Sequence, residues 1–173
     1  MKITLITDLT RVILLAIASL VIGLAVNFWR GSPLSFAYHS PEQRLVSDLN
    51  QLITAPAFRL SDLDAVQLDE LKEIVAQHKA LIVDARTSAF YDSGHIPGAV
   101  NLSRANFARD YLHLRSRLDE SKSSPVIVYC SGGECHDSRM VASALITLGF
   151  SQVRIFTGGW DAWTAASEPV EHQ

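Results

Sequence analysis

Cys130 and Cys135 stand five residues apart in the segment Cys130-Ser131-Gly132-Gly133-Glu134-Cys135-His136-Asp137-Ser138-Arg139, and the chain has no other cysteine. Cys130 closes the apolar run Val126-Ile127-Val128-Tyr129, and a stretch with helical periodicity, Met140 to Leu148, follows the segment. The order is buried strand, small-residue loop, helix, which puts the thiol at the C-terminal edge of a sheet, where open α/β sheets bind ligands. Loop glycines let successive backbone N–H groups turn inward as an anion nest, and the next helix start adds partial positive charge. Both favour a thiolate, the nucleophilic form of cysteine. The plainer alternative is a buried cysteine that only fills space at a strand end.

The rest of the chain must hold that loop. Ala80–Asp84 and Pro125–Tyr129 are continuous apolar runs of the kind that form strands covered on both faces. Shorter extended pieces are expected at 66–67, 99–102 and 152–156. Helical spacing is expected over 69–77, 104–118 and 138–148, in a short turn from Thr87 to Tyr91, and in a last helix opened by Gly158-Gly159 that carries Trp160 and Trp163. Leu71, Ile74 and Val75 form one apolar side, and Phe107, Tyr111 and Leu114 another. This alternation predicts a mainly parallel sheet with helices on both faces.

The N-terminus is of a different kind. Val12 to Trp29 carries no charge and rises about 27 Å as a helix, close to a bilayer's hydrocarbon thickness. Arg11 and Arg30 bracket it, and Phe28 and Trp29 suit the interface. A signal peptide is the rival, with Ser35-Phe36-Ala37 as a small-residue cleavage site. The apolar run exceeds the usual span of about 7–15 residues, however, and Asp8 sits in the leading region. A single uncleaved membrane span is therefore expected through residues 12–29. Lys2, Arg11 and the α-amino group precede it, so the positive-inside rule leans toward a non-cytoplasmic (periplasmic) soluble domain. Gly31 to Tyr38 reads as a juxtamembrane turn. Ser40-Pro41-Glu42-Gln43 is a helix start, followed by an apolar stripe of Leu45, Val46, Leu49, Leu52 and Ile53 that must pack on something, and Pro56 is its stop.

With net charge −3 and no basic block, the chain lacks a nucleic-acid footprint. Two cysteines do not make a disulfide scaffold.

Several segments taken in order resemble the rhodanese-like (sulfurtransferase) family. They are Leu68-Asp69-Glu70-Leu71, Ile82-Val83-Asp84-Ala85-Arg86, Tyr91-Asp92-Ser93-Gly94-His95-Ile96-Pro97-Gly98-Ala99-Val100-Asn101, Val128-Tyr129-Cys130 and Gly158-Gly159-Trp160-Asp161-Ala162-Trp163. The resemblance covers residues 66–168. It divides the chain into a membrane helix (1–30), a linker with an amphipathic helix (31–65) and the domain. It implies a five-stranded, mainly parallel core and a catalytic Cys130 that carries sulfane sulfur as a persulfide. The sulfur would come from thiosulfate or a persulfide-type donor and pass to a thiol or cyanide-type acceptor, with a protein persulfide among the candidate partners. No cofactor or metal is implied. The backbone of Ser131, Gly132, Gly133, Glu134, Cys135 and His136 would cradle the terminal sulfur, and Asp84, Arg86 and His95 would be structural supports near the site. Gly158 and Gly159 would permit close approach to the active loop, and Trp160 and Trp163 would be core.

The loop departs from the family's common Cys-x-x-Gly-x-Arg-Ser. Cys135 stands in place of the arginine and His136 in place of the serine, unless a loop two residues longer aligns Ser138 instead. Glu134 and Asp137 add negative charge to a site that takes anions. Cys135 is open to two readings, an inert thiol or a resolving thiol for Cys130. A related-fold phosphatase or arsenate reductase would need arginine where His136 stands. A zinc site from Cys130, Cys135, His136 and His95 lacks the paired short spacings such sites use. A non-catalytic or redox-sensing binding module built on the Cys130/Cys135 pair is the alternative function.

Overall fold

A computed structural model describes residues 2–31, 40–54, 63–133 and 135–173. Most of the expected juxtamembrane turn, Pro56 and Glu134 lie outside them. The chain divides into two compact units, Met1–Ser40 and Pro41–Gln173.

The first unit is one helix, α1 (Lys2–Trp29). Its segment Asp8–Trp29 is long and apolar enough to cross a membrane, a property that a signal sequence shares. Within it the Ser19 hydroxyl donates to the Leu15 carbonyl at 2.7 Å, which satisfies a polar group on an otherwise apolar helix.

The second unit runs α2 (Pro41–Thr54), β1 (Ala65–Val66), α3 (Leu68–Ala76), β2 (Leu81–Asp84), α4 (Ser88–Ser93), β3 (Val100–Asn101), α5 (Phe107–Glu120), β4 (Pro125–Tyr129), α6 (Asp137–Thr147), β5 (Gln152–Phe156) and α7 (Gly159–Ala165). The strands form one sheet in the order β1-β5-β4-β2-β3. Every pairing is parallel. β4 is central, paired along its length with β5 and over four residues with β2, so the most restrained strand of the sheet delivers Cys130.

Strand alternation sorts the core into two layers. Val126, Val128 and Cys130 pack with Leu81, Val83, Val153 and Ile155 under α5 and α6. Ile127 and Tyr129 pack on the other face with Ile82, Val66, Leu71, Phe156 and Trp163. The α2 stripe covers the first layer, with Leu49 and Ile53 buried and Leu45 and Leu52 half-buried against it. Val46 departs from the expected stripe and lies exposed. Leu71, Phe107 and Tyr111 are buried, while Ile74, Val75 and Leu114 are partly so.

Helix α5 starts at Phe107, not Arg104. The Asp110 carboxylate reaches back to accept from the Ser103 amide at 3.1 Å and hydroxyl at 2.5 Å, and the Ser103 hydroxyl accepts from the Asn106 amide at 3.3 Å. These side-chain bonds hold residues 103–106 as a turn and satisfy donors that would otherwise be orphaned before the helix. The chain beyond α7 also folds back. The amide of His95 donates to the Glu171 carbonyl at 2.9 Å, and that of Glu171 to the His95 carbonyl at 3.0 Å.

Candidate active site

Cys130 follows β4 and is 3% exposed. The loop after it is fastened to the turn between β5 and α7. The Trp160 amide donates to the Cys130 carbonyl, and the Asp161 amide to the Ser131 carbonyl, each at 2.8 Å. Gly159 makes this possible. It has φ +60°, and a Cβ there would lie 2.5 Å from both the Cys130 carbonyl oxygen and the Gly132 nitrogen. Gly132 is equally confined, because a Cβ on it would lie 2.6 Å from the Gly158 carbonyl oxygen.

The far half of the loop turns back over the thiol. The Cys135 amide donates to the Gly132 carbonyl at 3.3 Å. The sulfur atoms of Cys130 and Cys135 are in bonding contact as a disulfide, with Cα atoms 6.5 Å apart. Cys135 is half-buried and His136 exposed. Ser138, buried in the first turn of α6, has its hydroxyl 3.4 Å from Cys130 Sγ. Of the two residues that the sequence offered at the end of the loop, Ser138 is thus the one whose side chain meets the thiol, and His136 is turned to solvent. Asp137 does not add a bare charge, because Arg104 Nη1 lies 3.0 Å from its carboxylate. Asn50 and Thr54 of α2 join Ala85, Thr87, Arg104 and Asp137 around an open cleft of about 380 Å³ beside the start of α6.

Asp84, Arg86 and His95 gather elsewhere, on the Tyr129 face of the sheet. Arg86 Nη2 reaches Asp84 Oδ2 at 2.6 Å, its Nε donates to both carboxylate oxygens at 3.1 Å, and Nη2 also donates to the Gly94 carbonyl at 2.7 Å. The guanidinium stacks 4.4 Å from the Trp160 ring. Burial alone would lower the Arg86 pKa, but the Asp84 carboxylate overrides it and the pKa is raised. The Tyr129 hydroxyl donates to Asp84 Oδ2 at 2.5 Å and accepts from the Ile96 amide at 3.1 Å. The His95 ring stacks on Tyr91 with centroids 3.8 Å apart, and its Nδ1 donates to the Tyr91 carbonyl at 2.9 Å. Trp163 is buried, with its indole N–H on the Pro169 carbonyl at 2.8 Å. Trp160 is half-buried. Among the described residues no group of three His, Cys, Asp or Glu side chains could hold a metal ion.

Burial, and then the Asp84 carboxylate, push the Tyr129 hydroxyl far above the ordinary tyrosine range. An unfolded tyrosine loses its proton near about pH 10 while the folded one keeps it, so the stability it contributes is full below about pH 10 and declines above it. The urea midpoint of the wild type is therefore expected to fall from about pH 10 upward. Tyr129→Phe should fall less steeply from a starting stability lower by about 1–3 kcal/mol, because Asp84 loses a donor. Parallel alkaline slopes in the two proteins would contradict this origin.

The profile of the rhodanese-like domain family matches residues 67–166. The chain belongs to the rhodanese-like domain family. Thiosulfate sulfurtransferase GlpE of Pseudoalteromonas translucida is 35% identical over 107 residues, which span 61% of this chain and 94% of that one. The 3-mercaptopyruvate sulfurtransferase of Escherichia coli is 32% identical over 120 residues, 57% of this chain and 42% of that one. Among solved structures, the rhodanese fold is shared with the BH2092 protein of Bacillus halodurans (TM-score 0.55, 21% identity, 77% of this chain and 87% of that one). It is shared also with thiosulfate sulfurtransferase of Pseudomonas aeruginosa (TM-score 0.51, 22% identity, 74% of this chain and 23% of that one). The activity of the rhodanese-like relatives is sulfur transfer, and the chain is an enzyme of that type. Helices α1 and α2 lie outside the rhodanese match, yet α2 is built into the core of the domain.

Proposed function

We propose that the chain is a membrane-anchored sulfurtransferase that carries sulfane sulfur on Cys130. The Cys130 thiolate attacks the outer sulfur of thiosulfate, the new S–S bond forms as the old one breaks, and sulfite leaves with the electron pair. A thiolate or cyanide then attacks the terminal sulfur of the persulfide and regenerates the Cys130 thiolate. The observation that carries this reading is the position of Cys130, nearly buried at the end of the central strand and beneath a loop fastened on one side. The start of α6 and the amides of Ser131, Gly132, Gly133 and His136 are suited to a terminal anionic sulfur. Asp84, Arg86 and His95 serve as supports on the other face. Residues 12–29 act as the anchor, with the domain on the non-cytoplasmic side.

The bonding contact of Cys135 with Cys130 favours a second reading, a binding module that senses redox state through the pair. Intact mass separates the two. The reduced full-length chain in detergent, mixed with thiosulfate and quenched early in acid, is expected to gain one sulfur atom on the peptide that contains Cys130. Cyanide should remove it. If neither thiosulfate nor a small-molecule persulfide adds sulfur, the redox module is the better description.

A further inference from the structure

We propose that Cys135 is a resolving thiol that discharges the Cys130 persulfide as hydrosulfide, a step that rests on the reading of Cys130 as the sulfur carrier. The domain would then reduce sulfane sulfur as well as transfer it. The loop brings Cys135 Sγ into bonding contact with Cys130 Sγ, and the Cα separation of 6.5 Å lies within the range, about 4.4–6.8 Å, that an intraloop bridge needs. The sulfur that Cys135 meets is the inner one, the atom that would carry the persulfide. In this form Cys135 Sγ stands where the sulfane sulfur would be bonded. Gly132 and Gly133, both at positive φ, give the strand of loop between the two cysteines a turn that few side chains would permit. A bound persulfide and the Cys130–Cys135 bond are therefore alternatives at one sulfur atom, and the passage from one to the other is a displacement.

The displacement balances. The Cys135 thiolate attacks Cys130 Sγ, and the Cys135–Cys130 S–S bond forms as the bond from Cys130 Sγ to the sulfane sulfur breaks. That electron pair leaves on hydrosulfide, which takes up the proton that Cys135 gave to solvent. The sulfane sulfur is reduced by two electrons and the two cysteines are oxidised by two. Hydrosulfide is a weaker base than an alkyl thiolate, and the less basic thiolate leaves faster. Attack on the outer sulfur would instead move the persulfide to Cys135, an outcome that mapping the sulfur distinguishes. A dithiol reductant from solution reopens the disulfide by thiol exchange and returns Cys130 for the next turnover.

The test uses the reduced full-length chain in detergent, freed of reductant and of air, with thiosulfate added. Intact mass and released hydrosulfide are followed together. In the wild type the persulfide mass is expected to give way to a mass two hydrogens below the reduced chain, with one hydrosulfide per persulfide lost. In Cys135→Ser, and in Cys135→Ala as a second variant, whatever persulfide forms should persist at least about a hundredfold longer, because an attacking group held in the same loop is replaced by one from solution. A wild-type persulfide as long-lived as the variants', with no hydrosulfide, overturns the resolving role and leaves the carrier role of Cys130 intact. Sulfur mapped to Cys135 overturns it as well, in favour of a relay. No persulfide, hydrosulfide or disulfide in any of the proteins overturns the carrier role itself, and the release step with it.

Discussion

Cys130→Ser is expected to bring sulfur transfer from thiosulfate to cyanide down to the uncatalysed background, a loss of kcat/KM on the order of 10⁴-fold or more, as when the nucleophile of a covalent mechanism is removed. A serine hydroxyl is neither ionised near neutrality nor a match for thiolate toward sulfur. Compared with the reduced wild type, in which the Cys130–Cys135 bond is open, the substitution removes no large volume from a site that is 3% exposed, so thermal unfolding should change little. Thiocyanate formation measures the activity, and the unfolding midpoint checks the fold. Retention of more than about 1% of the activity would mean that the sulfur is not carried on Cys130.

The second large effect concerns stability. Arg86→Met is expected to cost about 3–5 kcal/mol, because it leaves the Asp84 carboxylate buried without its cation. Asp84 is fully buried and Arg86 is 5% exposed, so water cannot take over the lost role. The substitution also removes the donor to the Gly94 carbonyl and the stack on Trp160. For a domain of this size the midpoint should fall by roughly 10–20 °C. Arg86→Lys should recover only part of this, since an ammonium lacks the fork that binds both oxygens. The double variant Asp84→Asn, Arg86→Met should be more stable than Arg86→Met alone, because the bare charge is gone. A single-variant cost below about 1 kcal/mol would show that the pair is not the fold's charged anchor.

How much of this could be read along the chain depends on the range of the forces involved. The bounds of β4 and β5 agree with those expected: β4 announces itself as an apolar run buried on both faces, and β5 by Val153, Ile155 and Phe156 about a half-exposed Arg154. The start of α5 did not show, because it is decided by Asp110 reaching back to Ser103 rather than by periodicity. The register of the active loop was left open between His136 and Ser138. Closure over Cys130 decides it, and closure depends on where α6 packs. That Asp137 is met by Arg104, from 33 residues away, is equally invisible to local spacing. The last six residues carry no pattern, yet Glu171 pairs with His95 and its carboxylate accepts from the Gly98 amide at 2.8 Å.

The two halves of the active loop are held by different means. Cys130, Ser131 and Gly132 are clamped backbone to backbone against Gly158–Asp161, with no space for one added carbon. Gly133, Cys135 and His136 have no such backbone partner there among the described contacts, and Cys135 is tied instead through its sulfur to Cys130. The loop thus works like a vice with one jaw bolted to the bench. The bolted jaw sets where the reactive sulfur sits, and the other jaw, locked while the disulfide holds and released on its reduction, sets what approaches it. Variation in length and residue type on either side of Cys135 is free to accumulate without moving Cys130, so a sulfur carrier built this way can change its clientele while its nucleophile stays in place.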